Sequence, residues 1–124
     1  SKSTGEAKVA GVVYRGDGRV VAEIFENGFS ARDPEMALRE HLAGGNGLIA
    51  TSRSKAVARE FAVQNQGHVY AIDNVGGAQV KYPNELWFMA FEREVTFERI
   101  DASRIRGAWS MDLKEWTPNP RCDG

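Results

Sequence analysis

Three short stretches hold side chains whose types and spacing suit chemistry. In Tyr14-Arg15-Gly16-Asp17-Gly18-Arg19, an arginine at the end of a predicted strand is followed at once by glycine. A guanidinium fork matches a phosphate or pyrophosphate, and glycine lets a ligand come close to the backbone. The same residues would also make a surface turn with solvated arginines. In Glu92-Arg93-Glu94, two carboxylates stand two apart on a predicted strand and so face one way. Such a pair can stabilise a cation and accept a proton. It would equally form the solvated face of an antiparallel sheet. In Ile49-Ala50-Thr51-Ser52-Arg53-Ser54, a strand ends in hydroxyls at a helix start. Hydroxyls there can orient neighbours, or simply cap the helix.

Other candidates are weaker by chemistry. His41 and His68 have no cysteine at ligand spacing, which argues against zinc. Gly44-Gly45-Asn46-Gly47 lacks the Lys and Ser/Thr of a P-loop. Gly16 and Gly18 do not continue into a dinucleotide fingerprint. Trp87 and Phe88 fit either a core or an exposed recognition segment.

Those residues need elements to place them. Val9 to Tyr14 reads as a strand and 15–19 as a turn. Val20 to Asn27 reads as a helix with Val20, Val21, Ile24 and Phe25 on one face and Gly28 at its C-terminal cap. Asp33-Pro34 starts a second helix, which runs to Leu42. A buried strand follows at Gly47 to Thr51, then a helix capped by Ser52 or Ser54 that reaches Val63, with Val57 and Phe61 inward. His68 to Asp73 is a strand. The period of two over Phe91 to Phe97 predicts another. Ile105 to Met111 is the last strand, and Thr117-Pro118-Asn119-Pro120 breaks the chain. Helices early and strands late predict an α+β domain.

The 124 residues suit a single domain, with 1–8 as a polar tail or linker. Hydrophobic residues make up 42% and charged residues 27%, the balance of a globular chain. The net charge of −1 argues against a protein built mainly to grip nucleic-acid backbone, but not against a nucleic-acid substrate held by one patch. Cys122 is the one cysteine, so no internal disulfide can form. No run approaches the roughly 20 apolar residues of a membrane span. Ser1 stands where an initiator Met would, and no apolar signal core follows. An excised piece of a longer polypeptide, or a processed form, is the simplest reading.

Taken in order, these segments resemble the mono-ADP-ribosyltransferase toxins, in the Arg/Ser-Thr-Ser/Glu branch that includes cholera, pertussis and pierisin-like enzymes. The resemblance covers Val12 to about Trp109. Tyr14 to Arg19 is similar to the family's opening Tyr-Arg-x-Asp-x-Arg. Ile24-Phe25-Glu26-Asn27-Gly28-Phe29 is similar to the helix end that follows it. Leu48 to Ser52 falls at the Ser-Thr-Ser strand, His68 to Asp73 at the next strand, and Glu92-Arg93-Glu94-Val95 at the Glu-x-Glu or Gln-x-Glu motif.

The resemblance implies the family's fold, in which two small antiparallel sheets pack around an NAD cleft with flanking helices. It implies NAD as co-substrate and no metal. Arg15 would hold the NAD phosphates, with Asp17 and Arg19 in the same binding motif, and Gly16 would offer its backbone to the nicotinamide amide. Thr51 and Ser52 would shape the cleft floor and orient Glu94, the catalytic glutamate. His41 falls near a family histidine, and Phe61 would line the nicotinamide pocket. Glu92 would bind the attacking group. Glutamate there goes with arginine acceptors in the family, and glutamine with nucleic-acid bases or other side chains. The expected reaction is therefore transfer of ADP-ribose to an arginine of a target protein, with Trp87 and Phe88 as target contacts. A nucleic-acid base as acceptor and a catalytically silent binding module are the alternatives. Ala50 stands where the family has its first Ser-Thr-Ser hydroxyl. Either Thr51 or Ser52 substitutes for it, or the register moves by one, or activity is reduced. The resemblance further implies a secreted bacterial effector domain delivered into a target cell's cytoplasm, and an immunity protein that blocks the cleft.

Overall fold

The computed structural model describes residues 11–30, 49–79 and 94–123. The predicted helix from Asp33 with His41, the stretch holding Trp87 and Phe88, Glu92, and the tail 1–8 lie outside the described residues. The elements are β1 (Val12–Asp17), α1 (Val21–Asn27), β2 (Phe29–Ser30), β3 (Ile49–Ser52), α2 (Lys55–Asn65), β4 (His68–Asp73) and β5 (Ala78–Gln79). After these come β6 (Glu94–Phe97), β7 (Arg99–Ile100), a 3-10 turn (Ala102–Arg104), β8 (Ile105–Trp109) and β9 (Trp116–Pro118).

Among the described residues two antiparallel sheets form, as expected. One has the order β5-β6-β3-β1-β4-β8-β9, and the other pairs β2 with β7. Side chains that alternate along β1 feed two cores. Val13 points into the larger one, with Ile24, Phe29, Tyr70, Ile72 and Ile105. Tyr14 points the other way, toward Ala58, Ala62 and Val69 beneath α2.

Helix α1 ends at Gly28, whose φ of 71° and N–H to the Ile24 carbonyl (2.8 Å) make the predicted cap. A Cβ on Gly28 would also meet the Ile100 carbonyl at 2.2 Å, so the cap doubles as a contact with β7. Val20 is not on the buried face. It precedes the helix and is 68% exposed. Ser54 caps α2, its Oγ accepting from Val57 N.

Four further expectations need correction. Residues 15–17 are strand, not turn, because β1 pairs with β4 through Asp17 opposite His68. Ala58 and Ala62 face inward on α2, while Phe61 is 43% exposed, since only small side chains fit against β1. All four residues of β6 are buried, so Glu94 and Thr96 do not lie on a solvated sheet face. The last strand ends at Trp109, and Trp116 to Pro118 adds an edge strand, where proline's missing N–H costs no ladder bond.

Candidate active site

The cleft begins where β1 and β3 part. Their register holds one pair, Tyr14 opposite Ser52. Beyond it, a side chain spans the gap: Arg15 Nη1 donates to the Ala50 carbonyl at 2.8 Å. A pocket of about 190 Å³ opens there, lined by Tyr14, Arg15, Gly16, Ala50, Thr51, Ser52, Val57, Ala58, Phe61, Asn65 and Glu94. Strand β6 delivers Glu94 directly opposite Ser52 on β3. Glu94 is 8% exposed. The next hydroxyl along, Thr51 Oγ1, donates to the Val95 carbonyl at 2.7 Å and so ties β3 to the strand holding Glu94. Ser52 Oγ accepts from Ser54 N at 2.9 Å, linking the pocket floor to the start of α2.

Asp17 and Arg19 do not line the pocket. They brace the residue that does. The buried Asp17 carboxylate takes Arg15 Nε at 3.2 Å and Nη2 at 3.1 Å, and Arg19 Nε at 3.0 Å and Nη2 at 2.8 Å. Both guanidiniums lie over the Phe29 ring, at 5.2 and 5.3 Å. Burial pushes the Asp17 carboxyl up, but hydrogen bonds from the Arg19 side chain and N–H, with the charge of both arginines, outweigh it and hold it below the usual range. Burial also lowers the Arg15 pKa and Asp17 opposes that, so Arg15 stays a cation held in one orientation.

A family model described as Scabin-like matches residues 13–122. The chain belongs to the Scabin-like family. Among solved structures, the Scabin toxin from Streptomyces scabies in complex with NADH superposes with a TM-score of 0.72 at 23% identity, over 93% of this chain and 77% of that one. A guanine-specific ADP-ribosyltransferase superposes with a TM-score of 0.71 at 24% identity, over 93% and 79%. A search of curated proteins finds no match. The fold is thus the expected ADP-ribosyltransferase fold.

In this Scabin-like protein the pocket gathers Arg15, Gly16, Thr51, Ser52, Phe61 and Glu94 from three strands and a helix. Phe61 reaches it from the exposed side of α2. His41, Glu92, Trp87 and Phe88 lie outside the described residues. Among the described residues no group of three or more His, Cys, Asp or Glu gathers to hold a metal. Sequence reading missed Tyr14, Val57, Ala58 and Asn65 as pocket walls. The helical spacing of Val57, Ala58, Phe61 and Asn65 was the available signal, because i, i+4 and i+8 share a face.

A pH dependence follows. Asp17's folded pKa is depressed, so its contribution to stability is complete above the ordinary carboxylate pKa of about 4 and is lost as pH falls through the folded value. Thermal melts from about pH 6 down to about pH 2 should show an acid limb that Asp17→Asn flattens, with a lower plateau at neutral pH. An acid limb of the same size in the variant would move the acid sensitivity to another carboxylate.

Proposed function

We propose that this Scabin-like protein is a mono-ADP-ribosyltransferase that uses NAD as co-substrate and a guanine base of nucleic acid as acceptor. The observation behind this reading is one pocket that brings together a buried carboxylate, Glu94, a braced guanidinium, Arg15, and an aromatic wall, Phe61. These groups fit NAD: a cation for its pyrophosphate, a ring for its nicotinamide, and an anion for charge that develops on its ribose.

NAD supplies a nicotinamide–ribose bond whose electron pair leaves with nicotinamide as positive charge grows on the sugar. Glu94, held on β6 beside Ser52 and Thr51, places its negative charge in a site sheltered from water, where it favours that charge over the ground state. Arg15 lines the pocket while Asp17 and the Ala50 carbonyl hold its orientation, and Arg19 shares the Asp17 carboxylate. Gly16 exposes backbone at the pocket wall. A guanine nitrogen then forms the new bond to the ribose carbon with its lone pair, nicotinamide having left neutral, and its proton passes to solvent water.

The guanine acceptor is taken from the neighbour described as guanine-specific, in place of the arginine that Glu92 suggested. The residue type at Glu92 still favours arginine, so the experiment includes both. Ala50 does not favour a silent module, because Arg15 bonds its main-chain carbonyl and Thr51 still ties β3 to β6. We further read residues 1–124 as one catalytic domain of a toxin, delivered into a target cell's cytoplasm and met there by an immunity protein.

The test is to incubate the protein with labelled NAD and either a guanine-containing oligonucleotide or a cell lysate, and to split products between nuclease and protease. Label on the oligonucleotide that is lost to nuclease and kept through protease is the expected result. Label on protein alone would replace guanine by arginine. No label together with no released nicotinamide would overturn the enzyme reading.

A further inference from the structure

We infer that Lys55, Trp109 and Trp116 form a platform beside the pocket that holds a nucleotide flanking the acceptor guanine, with its base on the tryptophans and its phosphate on the lysine. This rests on the nucleic-acid acceptor proposed above.

The platform follows from strand register. Gly16, Val69, Trp109 and Trp116 stand side by side across β1, β4, β8 and β9, and one such row shares one face of the sheet. Helix α2 covers the row at Gly16 and Val69 through Ala58 and Ala62. Trp109 lies at the margin of that cluster, and Trp116, on the edge strand, is 40% exposed. The two rings stand 4.9 Å apart at 50°. The Trp116 ring reaches Gly107, where an added Cβ would come within about 2.5 Å of it, so glycine leaves the room the ring occupies.

Lys55 joins this surface to the pocket. Its Nζ is 4.7 Å from the Trp109 ring centre and 5.8 Å from that of Tyr14, itself a pocket wall. Among the described residues Lys55 has no ion-pair partner. A cation in the first turn of a helix is opposed by the helix dipole, so this charge does not serve the helix. An anion would satisfy it.

The mounting is rigid. The β8–β9 connection closes on itself, with Ser110 N to the Glu115 carbonyl at 2.7 Å and Glu115 N to Ser110 Oγ at 2.9 Å. One helical turn beyond Lys55, Arg59 Nε donates to the Met111 carbonyl at 3.0 Å and fixes that connection to α2. Aromatic faces beside a cation that has no ion-pair partner among the described residues are the chemistry that holds single-stranded nucleic acid without reading its sequence, because every base offers a π face.

Two measurements test it on Trp116→Ala and Lys55→Met, with melting temperatures to confirm the fold. The first is binding of a fluorescein-labelled single-stranded oligonucleotide that lacks guanine. The second is transfer to a guanine-containing oligonucleotide against transfer to free guanosine. Trp116→Ala should weaken binding and raise the oligonucleotide KM about fivefold or more, leaving guanosine transfer and the NAD KM unchanged, and Trp116→Phe should recover most of the loss. Lys55→Met should reduce the slope of log binding constant against log salt by about 0.7, the value for one phosphate of a single strand. Weaker binding by the variants without any guanine transfer would keep the platform and reject the acceptor. Unchanged binding and unchanged oligonucleotide KM in both variants, or no binding by the unaltered protein, would overturn the platform.

Discussion

Glu94→Gln should lower nicotinamide release by about a hundredfold or more while the protein stays folded. The change removes one negative charge and keeps shape, so β6 retains its register with Ser52 opposite position 94. Glu94 is 8% exposed, and charge that forms in a sheltered site gains far more from a fixed carboxylate than it would in water. A hundredfold loss corresponds to about 2.7 kcal/mol of transition-state stabilisation. The effect belongs in kcat. The KM for NAD should change little, because the pyrophosphate is assigned to Arg15 and its brace, which the substitution does not touch. A variant within about threefold of the unaltered rate would put the key carboxylate elsewhere, with Glu92 next in line.

Gly16→Ala should be among the most damaging small changes to the fold. A Cβ at Gly16 would lie 2.2 Å from the Ala58 carbonyl oxygen and 2.4 Å from Ala62 N, both backbone atoms of α2. No rotamer can relieve such a clash, so helix and strand must separate. Two more glycines share the seam: a Cβ on Gly18 would meet the Asn65 carbonyl at 2.6 Å, and one on Gly67 would meet the Asp17 carbonyl at 1.9 Å. Overpacking of this kind sits at the upper end of its usual range, about 3 kcal/mol, or a melting temperature lower by about 10 °C. Activity should fall with it, because Gly16 and Ala58 are both pocket walls. An unchanged melting temperature would show that α2 rides farther from β1 than this geometry has it.

Glu94 and Gly16 differ in how visible their roles are along the chain. Glu94 is visible because the chemistry demands a carboxylate and the period of two puts it on a strand. Gly16 is visible only as a residue permissive toward a ligand. Its tighter constraint comes from a helix some forty residues later in the chain. The same contrast separates Arg15 from its brace. The motif puts Arg15, Asp17 and Arg19 two residues apart, in a stretch that reads as a turn. Nothing in that spacing says that Asp17 stays off the pocket wall and holds both arginines.

At some elements local signals and tertiary ones conflict. Glycines at 16 and 18 read as a turn, yet β4 supplies pairing through Asp17 and the strand continues. Prolines at 118 and 120 read as a break, yet an edge position accepts Pro118. Asn119 read as part of that break. It is buried, and its Nδ2 donates to the Ala102 and Ile105 carbonyls at 2.9 and 2.8 Å.

By itself the sequence determined what is set by residue type and by neighbours a few positions away. It set strands around Val12, Ile49, His68 and Ile105, a cap at Gly28, a second cap at Ser52 or Ser54, and an ordered set of an arginine, hydroxyls and a glutamate. Tertiary structure alone decided what depends on distant partners. It decided that β6 pairs with β3 so that Glu94 stands across from Ser52, and that β1 and β3 part where Arg15 reaches Ala50. It also turned an exposed-looking Glu94 into a buried one, and set Lys55 against two rings from distant strands. The physical reason is that propensity and capping act over a turn or two of chain. Register, burial and electrostatic pairing are set by whichever residues the folded chain brings within a few ångströms.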